Sequence, residues 1–269
     1  MEQLEIGVLG PLVVGVAGVG VVPGALQQRR LLALLAVNVG REVGMAAIEE
    51  ELWSGRPPAQ PAAAVQTYVK ELRRRIAAAG RAHGIDAKRV LSRGHFGYRL
   101  GDAGARTDVR QFETALRDAH RSVDAGDDAG ASRELAAALS LWRGPALEDV
   151  RSAGAVLAEA LRLDELRMAA VEARIAADLR LGRHASVIGE LVALTLLNPL
   201  QEGLHRQLML AFYRSGRPSQ ALDVYRRLRG TLVGELGIEP SPGLRALHRA
   251  VLDADPMLDA PGPVLWAAS

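Results

Sequence analysis

At 269 residues and 49% hydrophobic content, the chain is long enough to bury two cores, and neither a disordered nor a fibrous protein fits it. It contains no cysteine, which excludes disulfides, thiolate catalysis and cysteine-ligated metals and suits a reducing cytoplasm. The formal net charge of +2 is unevenly placed: residues 1–104 hold 13 Lys and Arg against 9 Asp and Glu, and the rest hold 20 against 22, so a basic first part precedes a slightly acidic second one.

Ile6 to Leu26 runs 21 residues without a charge, long enough to suggest a membrane span. Six glycines with Pro11 and Pro23 argue against a helix there, and Glu2 and Glu5 stand where a signal sequence would be basic. The valine-rich pieces IGVLG, LVVGV and VGVVP read instead as strands of a small antiparallel sheet punctuated by glycine turns. No membrane contact is expected. No G-x-G-x-x-G precedes a helix, so no dinucleotide cradle is expected either.

Three helical segments follow, at Leu26–Val37, Met45–Trp53 and residues 61–76. Pro57, Pro58 and Pro61 break the chain between the second and third, leaving a stiff, exposed loop suited to a partner. In PAAAVQTYVKELRRRI, a rotation of about 100° per residue brings Val65, Val69, Leu72 and Ile76 to one face, which would meet a core. Ala63, Thr67, Lys70 and Arg74 point the other way, flanked by Gln66 and Arg73 on one side and Glu71 and Arg75 on the other. Arg and Lys can pair with phosphates or guanine edges, Gln with adenine, and the Thr methyl can touch thymine. Taken alone, such a face also describes an ordinary solvated helix. Tyr68, on the side of the helix, suits either packing or a phosphate. A strand pair around Arg89–Leu91 and Gly97–Leu100, with SRGHFGYRL between helix and strand end, completes the order expected of a winged helix-turn-helix preceded by a small sheet. Glu49–Glu51 would repel DNA or face a protein partner.

Gly101–Thr107 reads as a linker, and nearly every segment from Asp108 onward reads as helix. LRLGRHASVIGELVAL and FYRSGRPSQALDVYRRL repeat a helix, Gly-Arg turn, helix pattern with Gly182 and Gly216 34 residues apart, the tetratricopeptide period. A similar turn at Gly126 lies 56 residues before Gly182, so the repeat is interrupted, and WRGPALEDV occupies the interruption. Stacked helix pairs of this kind usually bind rather than catalyse. The fold class is therefore mainly α with small β-sheets: a winged helix-turn-helix domain over 1–104, an all-α tetratricopeptide-like domain over 108–253, and a loosely ordered tail over 254–269 that contains Trp266.

In this order, IGVLGPL, LLALLAVNVGREV, VQTYVKELRRRI, GYRL, LWRGPAL, LGRHASVIGELVAL and the run from Asn198 to Leu252 resemble the Streptomyces antibiotic regulatory protein family, across nearly everything from Leu4 to Asp255. That resemblance implies an OmpR-type winged helix joined to a bacterial transcriptional activation domain. It implies an activator that binds direct repeats of double-stranded DNA near promoters of antibiotic or other secondary-metabolite genes and recruits RNA polymerase, with the sigma factor a further partner. Pairing of two protomers on DNA and a cytoplasmic, nucleoid-associated location come with it. By the same resemblance Gln66, Thr67, Lys70, Arg73 and Arg74 would lie in or beside the major groove, and Arg93, His95 and Arg99 on the wing would reach phosphate or the minor groove.

Two departures stand out. Ala25, Leu26, Gln27, Gln28 and Arg29 occupy the place of the family's more basic helix start, which implies a flatter salt dependence. The turn Ala17–Gly20 is apolar where the family's is polar, which implies a sticky strand end. No G-x-x-x-x-G-K-[ST] occurs, Lys70 and Lys88 are the only lysines, and the six histidines show neither H-x-x-x-H spacing nor an accompanying G-x-S-x-G. No enzyme, metal or cofactor is expected. The alternatives are an interaction adaptor with weakened DNA binding and a regulator that senses a small molecule on its helical repeats.

Overall fold

The computed structural model describes residues 4–101, 104–151 and 154–259. Two compact units emerge, one formed by residues up to 115 together with 137–168, the other by 116–136 together with 169 onward.

The first unit opens with β1 (Leu4–Gly7), β2 (Val13–Val16) and β3 (Val19–Gly20), followed by α1 (Leu26–Val37), β4 (Glu42–Gly44), α2 (Met45–Trp53) and α3 (Pro61–Gly80). After a single 3-10 turn come α4 (Ala87–Val90), β5 (Leu91–Arg93), β6 (Gly97–Leu100) and β7 (Ala105–Thr107). The first sheet has the order β3-β2-β1-β7, with β1 antiparallel to β2 but parallel to β7, so it is mixed rather than antiparallel. Its fourth strand is drawn from the stretch that the sequence presents as a linker. β1 also stops earlier than the apolar pattern suggests, because the amides of Val8 and Leu9 donate to the Asp108 carboxylate, each at 3.0 Å, instead of to a neighbouring strand. The second sheet, β4-β6-β5, is a wing hairpin with an added strand. Arg89 and Val90, expected in a strand, close the short α4, where the Asp86 carboxylate accepts from the Lys88 amide at 2.9 Å.

The three helices meet on a core supplied by Leu31, Leu32, Leu34 and Leu35 of α1, Ile48 and Leu52 of α2, and the α3 stripe of Val65, Val69, Leu72 and Ile76, each no more than 2% exposed. At about 1.5–3 kcal/mol for each large apolar side chain removed from water, this stripe fixes which face of α3 looks outward. α3 runs one turn beyond the expected end at Ile76, to Gly80, where Ile85 packs so close that a β-carbon would lie 2.5 Å from its own.

WRGPALEDV belongs to this unit as well. The amides of Arg143 and Leu147 donate to the carbonyls of Leu9 and Gly10, and Asp149 accepts from the Leu12 amide at 2.8 Å while pairing with Arg29 at 3.2 Å. Trp142 sits edge-on to Phe112 with the Arg167 guanidinium over its ring. Glu51 is only 2% exposed and accepts from the Val156 amide at the start of α7 (Gly154–Arg180), so it is neither a DNA-repelling surface charge nor a partner contact. A helix N-terminus with unsatisfied amides is a favourable place for a carboxylate.

Within the second unit, the ends of α5 (Asp108–Asp124) and α7 join α6 (Asp128–Leu139), α8 (His184–Leu197), α9 (Glu202–Arg214), α10 (Pro218–Leu236) and α11 (Pro242–Leu252). Three turns share one construction. Gly126, Gly182 and Gly216 have φ of 74°, 78° and 71°, and the next residue's amide donates five residues back, Asp127 to Ser122, Arg183 to Asp178 and Arg217 to Phe212, at 2.8 to 2.9 Å. This is the Schellman closure, which favours glycine because its middle residue must be left-handed. The unit therefore carries the tetratricopeptide-like pairing that the spacing predicts. Beyond α11, Pro256–Asp259 form a 3-10 turn rather than loose chain, since Leu258 is fully buried and its carbonyl accepts from Arg214. Trp266 lies outside the described residues. No helix among the described residues is long and apolar enough to cross a membrane.

Candidate nucleic-acid interface

The buried stripe of α3 turns Gln66, Thr67, Lys70 and Arg74 to solvent, and Tyr68, Glu71, Arg73 and Arg75 are half-buried on the flanks. The wing hairpin stands alongside. Arg93 and Tyr98 are register partners across β5 and β6 and therefore share a face, the one turned toward α3. Between helix and hairpin runs an open groove of about 630 Å³, lined by Gln66, Lys70, Arg73, Arg74, Lys88, Arg93 and Tyr98 among others. Five of the residues singled out in the sequence thus converge on one concavity. A smaller depression of about 110 Å³ beside it is lined by Gln66, Arg93, His95 and Phe96.

Of the other three, His95 lines the smaller depression, and Thr67 and Arg99 line neither. Thr67 is exposed, and its hydroxyl donates to the Ala63 carbonyl at 3.0 Å, leaving its methyl and an acceptor oxygen to offer. Arg99 alternates with Tyr98 along β6 and so faces the other side of the sheet, in register with Glu42 and Ser92.

The cations are not equivalent. Arg73 donates through Nε to the Leu91 carbonyl at 2.9 Å, which ties α3 to the first wing strand. Arg74 is held by both oxygens of Glu71, through Nε and Nη2 at 2.7 Å each, and Arg75 reaches the same carboxylate at 3.0 Å. Hydrogen bonding from Arg74, then from Arg75, pulls the Glu71 carboxyl down to about 2, and the bond to Glu71 raises the Arg74 guanidinium above its ordinary value. Lys70 has no such partner among the described residues.

The wing tip is braced from beneath. Glu42 on β4 accepts from the amides of Phe96 and Gly97 at 2.5 and 2.8 Å. A β-carbon at Gly97 would fall 1.9 Å from the Val43 carbonyl oxygen, so only glycine lets β4 and β6 approach this closely. The tip presents Phe96, 73% exposed, with the His95 ring edge-on to it at 4.6 Å. Neither Phe96 nor Lys88 stands out in the linear sequence. Lys88 could have been found as one of only two lysines, close after a basic helix. Arg29, left of the shortened basic run, is committed to Asp149 and to the Pro23 carbonyl.

Residues 107–252 match the family model described as the bacterial transcriptional activator domain. The chain is 43% identical over 267 residues to the regulatory protein DnrI of Streptomyces peucetius, a match that covers 99% of this chain and 98% of that one. It is 39% identical over 256 residues to the transcriptional regulatory protein EmbR of Mycobacterium tuberculosis, covering 95% of this chain and 65% of EmbR. To the regulatory protein AfsR of Streptomyces coelicolor it is 38% identical, covering 95% of this chain and 25% of AfsR. The solved structure of M. tuberculosis EmbR in complex with a low affinity phosphopeptide superposes with a TM-score of 0.85 at 39% identity, over 95% of this chain and 66% of that one. The chain belongs to the bacterial transcriptional activator domain family, as a transcriptional regulator of the Streptomyces antibiotic regulatory protein type.

Proposed function

We propose that the chain activates transcription by binding double-stranded DNA sequence-specifically, with α3 in the major groove and the wing hairpin on the adjacent backbone. One observation carries this reading: Gln66, Lys70, Arg73, Arg74 and Arg93 line one open groove between an exposed helix face and a hairpin. Such a set combines base-edge donors with phosphate-neutralising cations, which is what major-groove reading requires. On this reading Arg73 and Arg93 set the register against phosphates, Gln66 and Arg74 meet base edges, and Lys70 does either. Thr67 offers its methyl to thymine, His95 extends the wing contact, and Arg99 supplies general positive charge from the far side of the hairpin.

The second unit supplies protein contact. In this proposal it brings RNA polymerase, with its sigma factor, to a promoter of a secondary-metabolite gene cluster in the cytoplasm, and two protomers occupy direct repeats head to tail. Membership of an activator family and the repeated helix pairs support that part.

The test uses the full chain and a duplex selected by it from a randomised library. Lys70→Ala with Arg74→Ala is expected to weaken binding at least about 30-fold, since each good base contact contributes about 1–3 kcal/mol. Circular dichroism should be unchanged. An unaltered footprint in that double variant overturns the reading.

A further inference from the structure

Glu71 is the one acid on the outer half of α3, set among Lys70, Arg73, Arg74 and Arg75. We propose that Glu71 is a specificity-determining residue, forming with Arg74 a single reading unit that suppresses binding to the DNA backbone at large and yields only where both halves of the pair find partners on base edges. The inference rests on the DNA-binding function proposed above.

The geometry is that of a closed fork. Both Glu71 oxygens take parallel donors from Arg74 at 2.7 Å, and Oε1 takes Arg75 as well. The Nε and Nη2 pair held in this way is the same fork that would meet O6 and N7 of guanine. Exposure tells how the clamp can open. Arg74 is 71% and Glu71 24% exposed at the side chain, so solvent reaches the arginine side of the clamp and screens the pair. It orients Arg74 without locking it away.

The two kinds of DNA surface then act differently on the pair. A phosphate offers an acceptor to Arg74 but no donor to Glu71, so Arg74 can take a phosphate only by giving up the Glu71 clamp, and the carboxylate is left without its partner. A base edge can satisfy both, because guanine accepts from the arginine while the cytosine N4 amino group donates to a carboxylate. Glu71 thus counts against every non-specific contact and against no contact at a guanine and cytosine step.

The experiment compares wild type, Glu71→Gln, Arg74→Ala/Arg75→Ala and the triple variant. Each full chain is titrated onto the selected duplex and onto a random-sequence duplex, from about 0.05 to about 0.3 M salt. Glu71→Gln is expected to bind the random duplex about fivefold or more tighter near 0.1 M salt, with a salt slope steeper by about one, as one further phosphate is neutralised. The selected duplex should gain less, so the ratio of specific to random affinity falls severalfold. That gain should vanish when Arg74 and Arg75 are already absent. An unchanged ratio in Glu71→Gln overturns the proposal, and so does a gain that persists in the triple variant, which would mark general charge repulsion. If wild type shows no salt-dependent affinity for any duplex, the DNA-binding reading itself falls, and this inference with it.

Discussion

In the first compact unit carboxylates reach far along the sequence to individual backbone amides, whereas the second repeats one short turn between helices. Asp108 holds the Val8 and Leu9 amides, Asp149 that of Leu12, Glu51 that of Val156, and Glu42 those of Phe96 and Gly97. By contrast, the turns at Gly126, Gly182 and Gly216 each need only a residue that tolerates positive φ and a donor five residues from its acceptor. The difference teaches where each unit is vulnerable. Irregular joints fail at single atoms, because a buried amide deprived of its acceptor has no substitute. A repeated turn degrades by small, equal steps.

Asp108 offers the sharpest way to break this contrast. Asp108→Ala removes the acceptor for two amides and the partner of Arg143, and should cost about 1–3 kcal/mol for each amide left unsatisfied. Hydrogen exchange should show the loss in residues 4–16 and 141–150, with protection in α8–α10 retained. Uniform loss across the chain would mean that the two units do not respond separately. A smaller effect is expected at the turns: Gly182→Ala and Gly216→Ala each place a β-carbon at positive φ with open space around it. Each should cost about 1–2 kcal/mol from backbone strain alone, measured by urea denaturation, and the two values should agree. A cost at one turn and none at the other would show that the repeat is geometric only.

The smallest effect is a pH dependence of the second unit. Burial holds the His205 imidazole below its ordinary value, reinforced by Arg227 and opposed by the Gln201 carbonyl; burial first and then a nearby arginine do the same for His184 and His248. An unfolded chain takes up these protons more readily than the folded one. The associated stability is therefore complete above the ordinary histidine value of 6.5 and is lost as pH falls through the lower folded values. Protection in α8–α11 should hold level from about pH 7.5 to about pH 6.5 and decline below it, and a rise as the pH falls would contradict the assignment.

The same contrast governs what could be read from the sequence. The α3 stripe of Val65, Val69, Leu72 and Ile76 follows from helical period alone, and the turns at Gly182 and Gly216 from their spacing, because both signals are local. The strand at Ala105–Thr107 was invisible, since its pairing with β1 joins positions about a hundred residues apart and its own residues resemble a linker. Glu51 looked like a surface charge for the same reason: its partner amide is 105 residues away. At the candidate interface the helix face was legible but its internal wiring was not. Arg73 is tied down by the Leu91 carbonyl where Lys70 is not, and Arg99 leaves the set through the strand register.

The brace beneath the wing has a thermodynamic consequence. With Glu42 holding two amides of the hairpin tip and Gly97 flush against β4, the Phe96 ring stands on backbone that is already ordered before any partner arrives. A loop that is rigid in the free state loses little conformational entropy on contact, so more of its interaction energy appears as affinity. Glu42, which lines neither of the two depressions described beside α3, would thus act on association through the freedom it has already removed.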